Sequence, residues 1–254
     1  MQVGAIVAAA GPGTRLGRRT KALVPLHGRT ALSRVLEVLL SLDEIDRVVV
    51  AAPPAGLEPI RHEVAALKPW KPVEVCAGGE TRQQSVRAGL AALGDCDYVL
   101  VHDAARPLAT AALFRRVLAA AESADAAIPA LTPRDAVKRV EGGRMVESLE
   151  RSRLVLAQTP QALAYQLLER AHFEAADAGL QGDDDAQLVA ATGHAVVVVE
   201  GEHANIKLTT AEDLEMLEAL LGERESAVPS PFPTPRNLRF RGDPGVAGEG
   251  QGGG

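Results

Sequence analysis

Short apolar runs alternate with amphipathic stretches along the first half of this chain, and that alternation limits the possible folds more than any other feature. The apolar runs predict strands over residues 3–9, 46–52, 72–77, 97–104 and 125–131. The stretches between them predict helices over residues 30–42, 56–67, 81–93 and 110–124. Strands that are apolar on both faces and separated by helices are typical of covered parallel sheets. We therefore predict an α/β fold with a Rossmann-like, mostly parallel sheet and helices on both faces.

The alternation of strands and helices breaks after residue 131. Two short β-type runs flank a Glu-Gly-Gly turn at residues 141–143, which predicts a β-hairpin arm inserted over about 133–156. An isolated hairpin is only marginally stable in water. We therefore expect the arm to pack on the main domain or on another subunit.

The rest of the chain completes one domain and then changes in composition. We expect further helices over 162–179, 183–192 and 210–222, and a strand over 194–201. From Glu225 onward the sequence is rich in proline and glycine and has no apolar periodicity. These features predict one domain over residues 1–224 and a disordered tail over 225–254.

The first loop that follows a predicted strand lies in VAAAGPGTRLGRRTKALVPL, residues 7–26. Its small residues would admit a phosphate close to the backbone. The cations that would neutralise such a phosphate are Arg15, Arg18, Arg19 and Lys21. The loop has Leu16 where a dinucleotide fingerprint has its third glycine, and no window fits a P-loop. Taken alone, the loop indicates either a site for another anion or a solvated surface loop.

Two further loops belong to the same edge of the predicted sheet, because ligands of such sheets bind beyond the carboxyl ends of the strands. In GGETRQQSVRAGL (78–90), Ser85 lies early in a helix, where its hydroxyl can face that edge. In VHDAARP (101–107), Asp103 ends an apolar strand, and one carboxylate with phosphate oxygens can hold Mg²⁺. The plainer alternatives are an ordinary strand–turn–helix and an aspartate that caps the next turn.

The chain resembles the 2-C-methyl-D-erythritol 4-phosphate cytidylyltransferase family over roughly residues 1–222. The resemblance rests on the order and spacing of AAAGPGTRLGRRTKAL, GGETRQQSV, VHDAARP, TPQ and NIKLTTAEDL. It implies transfer of the cytidylyl group of CTP to 2-C-methyl-D-erythritol 4-phosphate, with release of pyrophosphate, in non-mevalonate isoprenoid synthesis. It also implies Mg²⁺ or another divalent cation as cofactor, and a homodimer in which the hairpin arm helps to complete the partner's site.

The resemblance assigns roles position by position. The implied catalytic residues, which stabilise the transition state or position the acceptor phosphate, are Arg15, Lys21, Arg151 and Lys207. The implied nucleotide-binding residues are Ala9, Ala10, Gly11, Pro12, Gly13, Gly79, Glu80, Ser85, Ala104 and Arg106. The implied substrate contacts are Thr159 and Asp103, and Asp103 is also the implied metal ligand.

Some positions depart from the family pattern or have open interpretations. Ala136 stands where the family has a threonine whose hydroxyl would contact the acceptor. Asp184 and Asp185 could cap a helix, shape the site or bind a second metal, and a solvated first helical turn is the favoured interpretation. His102 is interpreted as a structural hydrogen-bonding group. The rival functions are a cytidylyltransferase for another polyol phosphate, such as ribitol 5-phosphate, and a non-catalytic nucleotide-binding regulator.

Composition argues against several other classes of protein. The 254-residue chain has a formal net charge of −6, which is unfavourable for a general nucleic-acid or membrane-surface binder. Cys76 and Cys96 lack the spacing of a zinc site, and we expect two buried thiols in a reducing compartment. We see no signal peptide or apolar run of membrane-spanning length, so we expect a cytoplasmic protein.

Overall fold

The computed structural model of this chain describes residues 1–10 and 20–227, the last three by their backbone alone. The predicted site residues that lie outside the described residues are Gly11, Pro12, Gly13 and Arg15, and most of the predicted tail lies outside them as well. The strands are β1 (Val3–Ala8), β2 (Pro25–Leu26), β3 (Arg29–Thr30), β4 (Arg47–Ala52), β5 (Val73–Ala77), β6 (Tyr98–Asp103), β7 (Ala126–Leu131), β8 (Lys138–Glu141), β9 (Arg144–Ser148), β10 (Leu156–Ala157), β11 (Gln161–Ala164) and β12 (Val197–Glu200). The α-helices are α1 (Ala31–Ser41), α2 (Leu57–Ala66), α3 (Arg82–Leu93), α4 (Ala111–Ala124), α5 (Tyr165–Asp177), α6 (Asp185–Ala191) and α7 (Ala211–Ala227).

A mostly parallel sheet forms the centre of the molecule and confirms the predicted α/β fold. Its strand order is β10-β7-β11-β6-β1-β4-β5, and β12 lies beside β7. β1 pairs in parallel with both β4 and β6, and β4 pairs in parallel with β5. β10 and β11 run antiparallel to their neighbours. The carboxyl ends of β1, β4 and β6 therefore meet at one edge of the sheet.

Two apolar clusters cover the two faces of the sheet, as the continuous apolar strands predict. On β1, Val3, Ala5 and Val7 pack into one cluster, and Ile6 packs into the other. α3 lies close to β1 because two glycines stand at the contact. A Cβ at Gly4 would lie 2.5 Å from Leu93, and one at Gly89 would lie 2.6 Å from Ile6.

Polar caps fix the helices that start near the carboxyl edge. Thr81 caps α3 in a capping box, accepting from the Gln84 N–H while the Gln84 side chain accepts from the Thr81 N–H. Asp184 caps α6 by accepting from the Gln187 N–H at 2.8 Å. These caps set where α3 and α6 begin, so the first residues of both helices face the same region.

The predicted helix over 162–179 is wrong at its beginning. Residues Gln161–Ala164 form β11, which inserts antiparallel between β6 and β7, and the helix begins only at Tyr165. Leu163 is fully buried within the sheet. The alanines and the leucine of this segment suit either state, and pairing with strands on both sides satisfies the backbone here without a helical turn.

The predicted hairpin arm is present as β8 and β9, joined at Gly142 and Gly143, which both have positive φ. Every residue of the two strands is exposed in the single chain, including Val140 and Met145. α7 is described as far as Ala227, the last described residue. Within residues 1–10 and 20–227, none of the helices combines the length and apolar character that a membrane crossing requires.

Candidate active site

A cavity of about 180 Å³ opens at the carboxyl ends of β1 and β6. Small residues at positions 8–10, 22, 104 and 105 form much of its wall, together with Ser85. The charged side chains that line it are Lys21, Arg82, Asp103 and Lys207. Three cations face one carboxylate here, although the whole chain is acidic. The cavity is therefore suited to a ligand that carries several negative charges.

Asp103, the last residue of β6, is the electrostatic centre of the cavity. Its Oδ1 lies 2.9 Å from Arg82 Nε, and its Oδ2 lies 2.7 Å from Lys207 Nζ. Burial would raise the pKa of this carboxyl, but Arg82 and Lys207 outweigh burial and hold the pKa well below its usual range. Asp103 is therefore ionised at neutral pH.

Arg82 joins this carboxylate to a second one that is more deeply buried. Its Nη1 lies 2.7 Å from Asp185 Oδ2, and Asp185 Oδ1 lies 3.0 Å from His172 Nε2. Burial would lower the pKa of Arg82, but Asp185 and Asp103 raise it above its usual value. The first residue of α3 is thus held between the end of β6 and the start of α6.

His102 lies behind the cavity and supports Asp103 from the protein interior. Its Nε2 lies 3.1 Å from the Arg106 carbonyl oxygen and its Nδ1 3.0 Å from Thr159 Oγ1. Thr159 Oγ1 also accepts from the Asp103 N–H at 3.1 Å. Burial lowers the pKa of His102 to about 4. A neutral ring that donates to Arg106 and accepts from Thr159 satisfies all these contacts, which supports the structural interpretation of His102.

The glycine segment predicted to bind the nucleotide lies beside the cavity. Ser85 is buried, donates its hydroxyl to the Thr81 carbonyl at 2.8 Å and accepts from the Gly79 N–H at 3.2 Å. A Cβ at Gly78 would lie 2.8 Å from Ser85 Oγ and 3.0 Å from the Ala10 side chain. The turn can therefore approach Ala10 only because a glycine stands there.

The structure brings many of the predicted site residues together. Those that line the cavity are Ala9, Ala10, Lys21, Ser85, Asp103, Ala104 and Lys207. Gly79 lies next to this group through its contact with Ser85, whereas Glu80 is exposed on the turn. Arg106 donates to the carbonyls of Asn205 at 2.7 Å and Ala157 at 3.4 Å, and so holds the loops rather than facing the cavity.

Two predicted substrate-binding residues lie away from the cavity of the single chain. Thr159 is buried behind Asp103, and its hydroxyl is engaged by Asp103 and His102. Arg151 lies in a short 3₁₀ turn near the hairpin arm, exposed, with its Nη1 2.5 Å from the Arg134 carbonyl oxygen. The single chain therefore does not bring Arg151 to Asp103.

The favoured interpretation of Asp184 and Asp185 as a solvated helical turn is wrong for Asp185. That side chain is fully buried beside Arg82, which compensates its charge, and it lies 3.0 Å from His172 Nε2. The expectation of two buried thiols is also wrong, because Cys76 and Cys96 are half-buried and free. Both thiols have their pKa raised, chiefly by burial.

Sequence reasoning did not assign Arg82 or His172 to the site, and it gave Asp185 a place there only as a less favoured alternative. Arg82 stands inside GGETRQQSV, and its place at the start of α3 was the available signal. His172 lies mid-helix without a partner at ligand spacing, so the sequence holds no comparable signal for it. Among the residues that the structure describes, no cluster of three or more His, Cys, Asp or Glu side chains could hold a metal ion.

Comparisons with known proteins agree with this geometry. The family model described as IspD, 2-C-methyl-D-erythritol 4-phosphate cytidylyltransferase, matches residues 3–223. A protein of that name from Dehalococcoides mccartyi is 37% identical over 221 residues, which cover 87% of this chain and 96% of that protein. A bifunctional IspD/IspF enzyme from Desulforudis audaxviator is 43% identical over 222 residues, and the chain spans 56% of its length.

Solved structures extend the likeness to the fold. The crystal structure of 2-C-methyl-D-erythritol 4-phosphate cytidylyltransferase from Thermus thermophilus superposes with a TM-score of 0.73 at 38% identity. The match covers 87% of this chain and 98% of that chain. The residues that the family model matches include the sheet, the arm and the cavity. This chain belongs to the 2-C-methyl-D-erythritol 4-phosphate cytidylyltransferase family.

Proposed function

We propose that this chain transfers the cytidylyl group of CTP to 2-C-methyl-D-erythritol 4-phosphate and releases pyrophosphate, in the non-mevalonate synthesis of isoprenoid precursors. The observation that carries the proposal is the cavity, where Lys21, Arg82 and Lys207 surround the ionised Asp103. Family membership selects the reaction among those that use polyanionic substrates. The comparison proteins carry this activity in their names.

The proposed reaction needs alignment and charge neutralisation more than a general base. An oxygen of the acceptor phosphate attacks the α-phosphorus of CTP and forms a new P–O bond. The bond from the α-phosphorus to the bridging oxygen breaks, and its electron pair leaves with pyrophosphate. The attacking oxygen is already deprotonated at neutral pH, so the enzyme must mainly overcome repulsion between two anions. This requirement explains why the cavity is lined by cations.

Individual residues take complementary parts in this proposal. Lys21 lines the cavity and would stabilise charge on the α-phosphate and on the departing pyrophosphate, together with Arg15. Lys207, half exposed beside Asp103, would hold the acceptor phosphate. Ser85 and Gly79 would form one wall of the cytosine site.

A divalent cation fits the cavity as an ion with a single protein ligand. Asp103 is ionised and lines the cavity, and each of its oxygens can accept a second interaction besides its present cation. Mg²⁺ commonly takes one carboxylate and completes its shell with phosphate oxygens and water. When bound, it would neutralise part of the triphosphate charge, with Asp103 as its protein ligand.

We further propose that the protein is a homodimer in which the arm reaches the partner's site. The arm exposes Val140 and Met145, and Arg151 beside it is remote from the cavity of its own chain. A partner would bury this apolar surface and could bring Arg151 to an acceptor phosphate. We also retain the cytoplasmic location as a proposal, supported by the free thiols of Cys76 and Cys96.

A pyrophosphate-release assay with CTP and Mg²⁺ tests the proposed function. We expect release with 2-C-methyl-D-erythritol 4-phosphate and little with ribitol 5-phosphate. Release with ribitol 5-phosphate alone would identify a different acceptor, for which Ala136 in the arm would be the first position to examine. CTP binding without release for any acceptor would favour a nucleotide-binding regulator. The variant Asp103→Asn is compared in the same assay. It removes one charge at nearly constant volume, so it shows whether pyrophosphate release depends on the carboxylate of this cavity.

A further inference from the structure

Lys207 reaches the cavity from a segment that has no helix or strand, residues 201–210. Its side chain is 45% exposed, and its ammonium contacts Asp103 Oδ2 at 2.7 Å. A long side chain on an irregular segment can adopt many positions, so other contacts must fix the backbone that carries it. The residue two positions earlier, Asn205, makes such contacts and is completely buried.

The side chains of Asn205 and Gln158 form a buried hydrogen-bonded clasp. It joins this segment to the residues between β10 and β11. Asn205 Nδ2 donates to Gln158 Oε1 at 3.2 Å and to the Thr159 carbonyl at 2.8 Å. Gln158 Oε1 also accepts from the Glu202 N–H at 3.1 Å, and Gln158 Nε2 donates to the Glu202 carbonyl at 2.9 Å. The clasp therefore ties residues 202–205 to the residues between β10 and β11, which support Asp103 through Thr159.

The segment is anchored again directly after the lysine. The Leu208 N–H donates to the Ala105 carbonyl at 2.7 Å, and the Leu208 side chain is buried. Lys207 thus lies between an anchor at Asn205 and an anchor at Leu208. The Asn205 side chain does not line the cavity, so its effect on a ligand must pass through the residues that it holds.

We propose that Asn205 is a positioning residue that acts through Lys207. The inference rests on the proposed function only for the identity of the acceptor. Replacing Asn205 by alanine removes both donated hydrogen bonds and releases the anchor before Lys207. Because small misplacement of a positioning group costs up to about 10²-fold in rate, we expect Asn205→Ala to lower kcat/KM for the acceptor by roughly 10- to 50-fold. KM for CTP should change by less than about threefold.

Chemical labelling of Lys207 tests the inference without any turnover. A short pulse of acetic anhydride, followed by peptide mass spectrometry, measures how freely this ammonium leaves Asp103. We expect Asn205→Ala to label Lys207 at least about threefold faster than the unaltered protein. The matched control is Gln83→Ala, which likewise removes two hydrogen bonds to a loop, one donated to the Leu180 carbonyl and one accepted from the Gly182 N–H. It should leave the labelling of Lys207 unchanged, and equal rates in all three proteins would overturn the inference.

A double-mutant cycle with Lys207→Ala separates positioning from general stability. If Asn205 acts through Lys207, Asn205→Ala should cost less than about twofold once Lys207 is absent. An equal cost in both backgrounds would show a merely structural role and overturn the inference. Asn205→Leu, which keeps the branched shape and loses the donors without burying a charge, replaces Asn205→Ala in both experiments if the alanine variant melts at a lower temperature than Gln83→Ala. If the unaltered enzyme releases no pyrophosphate with the acceptor, the proposed function fails, while the labelling still decides this inference.

Discussion

Substitution of Arg82 by methionine should destabilise the fold strongly, because it leaves two buried carboxylates without their shared cation. Arg82 contacts Asp103 at 2.9 Å and Asp185 at 2.7 Å, and these side chains are 8% and 1% exposed. Removal of one partner from a buried ion pair costs about 3–5 kcal/mol. Asp103 keeps Lys207 and Asp185 keeps His172, so we expect the lower end, about 3 kcal/mol at pH 7.

The size of this loss should depend on pH in a defined direction. In the unaltered protein the pKa values of Asp103 and Asp185 are lowered against burial, so both carboxylates stabilise the fold above their unfolded pKa of about 3.9. This contribution is lost as the pH falls below that value. Without Arg82, burial should raise the pKa of Asp185 above its unfolded value, so protonation in mild acid relieves the stranded charge. The difference in stability between the two proteins should therefore narrow from pH 7 to pH 4.5.

Urea unfolding at both pH values measures the two free energies. The matched control is Arg61→Met, which breaks an exposed pair with Glu58 and should cost less than about 1 kcal/mol at either pH. Adding Asp185→Asn to Arg82→Met should recover part of the loss at pH 7, because one unpaired charge is gone. A loss below about 1 kcal/mol for Arg82→Met, or one independent of pH, would refute the charge argument.

Three further perturbations test other parts of the molecule. Lys21→Ala should lower kcat by roughly 10²-fold in the pyrophosphate-release assay, as for loss of one preorganised donor, and near-normal turnover would contradict its role. Because the pKa of buried His102 is lowered to about 4, the folded protein keeps this ring neutral at a pH where the unfolded chain protonates it. The free energy of unfolding of the metal-free protein should therefore increase by up to about 3 kcal/mol as the pH rises from 4 to 6.5. His102→Gln, compared by thermal melting, should lose that dependence, and an unchanged slope would exclude His102 as its source. Met145→Lys on the exposed arm should shift the proposed dimer to a monomer in light scattering, and an unchanged mass would count against the arm as the contact.

The sequence was sufficient to predict the parallel part of the sheet because each strand there carries its own signal. β1, β4 and β6 are continuous apolar runs that end in a turn or a charged residue. β11 could not be recognised in the same way, because it has only four residues, Gln-Ala-Leu-Ala, and precedes an amphipathic helix directly. Its state is decided by the open space between β6 and β7, which exists only once both are in place.

The candidate site was predictable where function depends on local motifs. Asp103, Lys21 and Lys207 stand in such motifs, and the structure brings them to one cavity. The ion pair of Arg82 with Asp185 joins residues about a hundred positions apart. From the sequence alone, a run of three aspartates predicts a solvated first turn of a helix. Burial reverses that interpretation, since a carboxylate can be buried only when a cation is brought to it.

The cations around the cavity differ in how firmly other groups hold them. We expect this difference to give them different roles in the proposed reaction. Arg82 is fixed by two carboxylates and is mostly buried. A fixed charge lowers a barrier without reorienting during the reaction, but it cannot follow a moving phosphate. Lys207 is half exposed and contacts a single carboxylate, so its flexible ammonium can exchange Asp103 for a phosphate at small cost. Changes at Arg82 should therefore appear first in stability, and changes at Lys207 or its anchor Asn205 should appear first in turnover.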